Sequence, residues 1–100
     1  MAKKQMTIQH HLDQPNAIAQ TKVLIERLRT KHAGEMTVTQ ESWTDNTCAL
    51  TIDASGYTIT GTITVQSGAV TIECDMPLLV RAFWGRIESM IREEARPLFS

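Results

Sequence analysis

Residues 47–76 read TCALTIDASGYTITGTITVQSGAVTIECDM, and the period of two in that stretch decides the fold. Cys48, Leu50 and Ile52, then Tyr57, Ile59, Ile63 and Val65, then Val70, Ile72, Cys74 and Met76 fall on one side. Thr47, Thr51, Thr58, Thr60, Thr62, Thr64 and Thr71 fall on the other. Successive side chains of a strand point to opposite faces, so this alternation describes strands with one apolar and one hydroxylated surface. Threonine is β-branched and suits a strand while tolerating water. The pairs Ser55-Gly56 and Ser67-Gly68 interrupt the pattern as turns, and Asp45-Asn46 precedes it as a third. Upstream, Met36 and Val38 alternate with Thr37 and Thr39, which predicts four strands in a meander between Glu35 and Asp75. A sheet wet on one side must have its other face covered.

Both flanks carry helical spacing. Ala17, Ile18, Thr21, Leu24, Ile25, Leu28 and His32 lie on one face of a predicted helix, opposite Lys22, Glu26 and Arg29. Asp13 or Gln14 caps its start, Pro15 is tolerated in its first turn, and Gly34 is expected to end it in a left-handed conformation. Before it, Met6 to Leu12 alternates as a short first strand, and residues 1–5 are expected to be disordered. After the meander, Pro77 opens a helix expected to reach Arg96, with Pro97 ending it. Val80, Phe83, Trp84, Ile87, Met90 and Ile91 form its apolar stripe, widened by Leu79. At ~1.5 Å per residue such a helix would cross the whole sheet. The expected fold is therefore α+β, one domain over residues 1–100. Its order is strand, helix, four antiparallel strands, helix, with both helices on one face of the sheet in a reduced helix-grip arrangement.

Composition narrows the function. With 100 residues, a formal charge of -1 and 21% charged residues, the chain has one core and no concentrated basic face for nucleic acid. No apolar run is long enough to insert in a membrane, and the two cysteines with no signal-like start suit a cytoplasmic protein. His10 and His11 are strand neighbours on opposite faces and cannot chelate one metal, so His10 reads as structural. Cys48 and Cys74 sit among aliphatic residues, where burial raises a thiol's pKa, and read as core fillers. Gly56 and Gly61 open no helix and form no phosphate cradle; Gly61 suggests a bend, a bulge or close passage of the last helix. No catalytic, cofactor-binding or metal-ligating set emerges. Trp43 breaks the alternation set by Met36 and Val38, so a bulge turns it inward or it projects outward; burial through a bulge is the preferred reading. Leu79, Phe83 and Trp84 make the start of the last helix apolar around much of its circumference, and they are the candidate partner-binding residues.

Taken together, His10-His11-Leu12 before a helix carrying Ala17, Ser42-Trp43 with Asp45, Gly56 with Gly61 and Ile63, and Met76-Pro77-Leu78-Leu79 with Phe83, Ile87 and Ile91 resemble the small polyhydroxyalkanoic acid system proteins of bacteria. The resemblance spans nearly the whole chain; it departs at Asp13, where the family pattern has glycine. It implies association with the polyhydroxyalkanoate storage-granule system, at the granule surface or in its regulation, with no established catalytic activity to carry over. The expectation is a non-enzymatic accessory protein that binds another protein or a polyester granule surface. The alternative is a module holding an acyl chain or hydroxyacid between sheet and last helix, in a cavity lined by Ile59, Ile63, Ile72 and Phe83. A homodimer through a strand edge or the threonine face is a further expectation.

Overall fold

A computed structural model describes residues 2–99. Strands β1 (Ala2–Gln9), β2 (Thr37–Thr44), β3 (Thr47–Ala54), β4 (Tyr57–Gln66) and β5 (Ala69–Met76) form one antiparallel sheet in the order β1-β5-β4-β3-β2. Helix α1 (Gln14–Lys31) separates β1 from β2, and two helices, α2 (Leu78–Arg81) and α3 (Trp84–Phe99), follow β5. The architecture is α+β, as the alternation of periods two and 3.6 predicts.

The meander follows the three turns closely. At the second, Ser55 and Gly56 both have positive φ (51° and 83°), the requirement of a two-residue turn whose twist matches its strands. Registers such as Leu50↔Gly61, Gly61↔Cys74 and Ile63↔Ile72 put the expected apolar side chains on one face. There Ile63, Val65, Val70 and Ile72 pack with Leu24 and Ile25 of α1 and with Ile91, Ala95 and Phe99 of α3. Thr58, Thr60 and Thr62 remain exposed on the reverse. Gly61 is neither bent nor bulged: its register is regular, and a Cβ there would meet Glu73 O at 3.5 Å and Cys74 Sγ at 3.8 Å, ordinary contact distances. Tyr57 shares the parity of Ile59 but is exposed, because it stands at the hairpin end opposite Ala54, beyond the helices.

A bulge does occur in β2, where the register shifts between Val38 and Gln40. The extra residue, Thr39, restores inward parity to Trp43, which pairs with buried Cys48 and packs against the core. Its Nε1–H donates to Glu41 Oε2 at 2.9 Å, and Lys22 Nζ lies 5.2 Å from the ring centroid. A bulge increases local twist, so one inserted residue both places the indole and bends the edge strand.

Several boundaries differ from the sequence reading. β1 ends at Gln9, so His10, His11 and Leu12, expected within it, lie beyond the strand. β1 begins at Ala2, so residues 2–5, expected to be disordered, instead pair with Glu73–Met76; Met1 lies outside the described residues. Lys3-Lys4-Gln5 carries no apolar signal, and a distant strand supplies the order. Helix α1 is capped as expected, Asp13 Oδ1 accepting from Asn16 N–H at 3.0 Å, but Gly34 does not take a left-handed conformation. Its end is closed by His32 instead, whose N–H donates to Leu28 O while its carbonyl accepts from the N–H groups of Glu35 and Met36. Finally, the last helix is not continuous. A tight turn at Ala82-Phe83 divides α2 from α3, and Pro97 lies within α3 rather than ending it. Proline in the last turn forfeits a single backbone bond, and burial of Phe99 beyond it keeps the chain on the core.

Candidate docking surface

Side-chain direction along residues 77–87 follows from what the core needs. Pro77 is extended (φ -60°, ψ 153°) and turns the chain from β5 into α2. Val80 points down and joins Ile59 and Met76 in a small cluster at this end of the sheet. Trp84 and Ile87, four and seven residues on, share that direction and pack against both this cluster and the main core. Leu78 and Leu79 just before Val80, and Phe83 just before Trp84, fall off that direction and face away. Leu78 is 67% exposed, Leu79 68% and Phe83 55%.

The three side chains named from sequence are therefore separated. Leu79 and Phe83 stand in solvent, while Trp84 is half-buried and contributes to the core. Phe83, placed in the inward stripe by sequence, is turned out by the break between the helices. Leu78 was missed. Its signal was the spacing of Val80, Trp84, Ile87 and Ile91, which fixes the inward direction and leaves Leu78 on the other side. Isolated exposed leucines are ordinary on protein surfaces, but adjacent large apolar side chains on one short segment make it the candidate contact site.

Cations lie on the same segment and on the neighbouring strand. Arg81 and Arg86 are exposed on the same segment, and Lys4, on the helix-bearing face of β1 opposite Cys74, is half-buried beside it. Among the described residues none of the three is in an ion pair. The carboxylates nearest to this segment in sequence are engaged or on the other face. Glu88 accepts from Arg92 Nη2 at 2.9 Å, and Glu73 and Asp75 point to the opposite face of β5 from Ile72 and Cys74.

His10, singled out by the sequence, is placed by backbone and ring contacts. His10 is buried, its Nδ1 accepts the Leu12 N–H at 3.0 Å, and its ring lies against Phe99 with centroids 5.4 Å apart. His10 N–H donates to Gly68 O and Gly68 N–H to Leu12 O, so the residue ties the entry of α1 to the β4–β5 turn. Among the described residues, no three histidine, cysteine, aspartate or glutamate side chains come together as a metal site would require. Ile59, Ile63 and Ile72, the expected lining of a ligand cavity, are buried against their neighbours, and Phe83 does not reach them. Among the described residues no helix is long and apolar enough to cross a membrane.

Burial pushes both thiols up, to about 11 for Cys48, where the Glu41 carboxylate adds to the effect, and to about 11 for Cys74. Native protein is accordingly expected to leave both cysteines unmodified by a disulfide reagent at neutral pH, with rapid labelling of both on addition of denaturant. Labelling of either at the rate of a free thiol without denaturant would show that the core around it is open. Because the folded value is the higher one, the thiols favour the folded state below pH ~9, and that contribution falls away as pH climbs toward 11.

Glu94 links the two long helices. Its Oε1 lies 3.1 Å from Arg27 Nη2 and 3.4 Å from Lys31 Nζ, and Oε2 is 3.7 Å from His32 Nε2. Desolvation works to raise the carboxyl, but Lys31 and then Arg27 outweigh it and hold the group below its ordinary value. A carboxylate depressed on folding stabilises the native state above its unfolded pKa, and the benefit is lost as pH falls through the lower folded value. Glu94→Gln is expected to flatten the acid side of the stability curve, measured as thermal midpoint between pH 6 and roughly pH 3. An unchanged acid slope would show that the cluster contributes nothing through protonation.

The matching family model covers residues 5–99 and bears the description "Putative polyhydroxyalkanoic acid system protein". It spans the sheet, α1 and the exposed segment alike. The chain belongs to that family. None of the curated proteins and none of the solved structures matches it.

Proposed function

We propose that this protein is a non-enzymatic, cytoplasmic accessory or regulatory component of the polyhydroxyalkanoate storage-granule system, acting by docking on another protein or on the granule surface. Its family membership supports the granule system, and the exposed Leu78, Leu79 and Phe83 support docking as the mode of action. Helix α2 and the turn after it fix the backbone that carries these side chains, so the ordering left for binding to impose is confined to their rotamers. The alternative, an acyl chain or hydroxyacid held between sheet and last helix, has no comparable support, since the isoleucines it requires are packed into the core.

The test is recovery of the tagged protein with granules from polymer-accumulating cells, compared with the Leu79→Ser, Phe83→Ser double variant. Both positions are exposed, so the variant is expected to keep its fold and lose most of its granule association. Equal recovery of wild type and variant would reject this segment as the docking site. Recovery of the same partners from cells that make no polymer would reject the granule assignment.

A further inference from the structure

We propose that the surface formed by Leu78, Leu79 and Phe83 seats on an anionic lipid interface, the apolar side chains entering the headgroup layer while Lys4, Arg81 and Arg86 meet the phosphates. The inference rests on the docking reading above and names the chemistry of what the surface meets.

Two observations converge on it. The first is size and shape. A specific protein interface buries about 800 Å² on each partner and is built around a complementary core. Here the apolar group is three side chains, Leu78 and Leu79 on a four-residue helix and Phe83 at the turn after it, a small core for such an interface yet enough for a fluid surface that supplies its own fit. The second is charge. The chain as a whole carries a formal -1, so nothing attracts it to anions generally. At this end, however, Lys4, Arg81 and Arg86 stand without ion-pair partners among the described residues, and Glu73 and Asp75 face the other way. Long basic side chains flanking apolar ones is the arrangement that binds an anionic interface, because the stems remain against the apolar layer while the charged ends reach its phosphates. Three apolar side chains alone give only weak, reversible binding, so the cations decide whether the surface is held.

The full chain would be sedimented with vesicles of phosphatidylcholine alone and with added phosphatidylglycerol, at low and high sodium chloride. Partition onto the anionic vesicles is expected to exceed that onto the neutral ones by at least about tenfold and to fall with salt. The Arg81→Glu, Arg86→Glu pair is expected to remove the preference for phosphatidylglycerol, and the Leu79→Ser, Phe83→Ser pair to abolish binding; unchanged thermal midpoints establish that both remain folded. Equal partition onto the two vesicle types, or no effect of the arginine pair, overturns the lipid inference. If wild type ignores vesicles but the apolar pair still controls granule recovery, the lipid chemistry is wrong and the docking site stands. If the apolar pair controls neither, both readings fail. Capture of a single protein by this face without vesicle binding would put a protein in the lipid's place.

Discussion

Replacing Phe99 by alanine is expected to destabilise the fold by about 3 to 5 kcal/mol, although the residue is the last but one in the chain. Chain ends generally tolerate change because their backbone is loosely held. Phe99 is different: it is 4% exposed, belongs to the main core and lies against the His10 ring. Its truncation would leave a cavity bordered by a histidine whose Nε2 is already buried without a partner. A domain of this size is stable by only about 5 to 15 kcal/mol, so the variant is expected to be partly unfolded near physiological temperature. Urea denaturation followed by circular dichroism measures the loss. A change under about 1 kcal/mol would mean that the last turn of α3 is not held on the core, and with it would go the account of why Pro97 fails to end the helix.

The neighbours Phe83 and Trp84 are expected to separate cleanly. Trp84→Ala should cost about 3 kcal/mol, at the low end for an aromatic truncation because the indole is half-buried, whereas Phe83→Ser should stay within about 0.5 kcal/mol of wild type. The difference comes from direction alone. Trp84 packs against both apolar clusters and joins α3 to Val80 and the end of the sheet, while Phe83 is more than half exposed one residue earlier. Parallel chemical denaturation of the two variants decides the matter. Similar losses for both would mean that the segment sits differently on the sheet, and would remove Phe83 from any docking surface.

The sheet was legible in the sequence because its two faces are chemically distinct, threonine against aliphatic, and each turn carries its own residue pair. Trp43 was legible through its violation of parity, which a single inserted residue repairs. Less visible was anything decided at long range. β1 starts with Lys3-Lys4-Gln5, ordered by backbone pairing to β5 that no local pattern announces. The extent of α3 depends on whether Phe99 finds a pocket, which a proline rule two residues earlier cannot foresee. Along residues 77–87, hydrophobicity marked an apolar excess but did not say which of its side chains lie outside the core. Val80, Trp84 and Ile87 share an inward direction, so the apolar excess divides between core and solvent, leaving Leu78, Leu79 and Phe83 outside.

The position of β1 beside β5 also orders events during synthesis. β1 is synthesised before the other four described strands, yet among the described residues the strand it pairs with is β5, the far end of the meander. Until Met76 emerges, β1 is an unpaired ribbon with Met6 and Ile8 uncovered, and closing so long a loop is intrinsically slow. The nascent chain thus carries an adhesive strand while α1 and the meander are being made, and the basic pair Lys3-Lys4 on that strand is the kind of charge that keeps it from sticking to other chains.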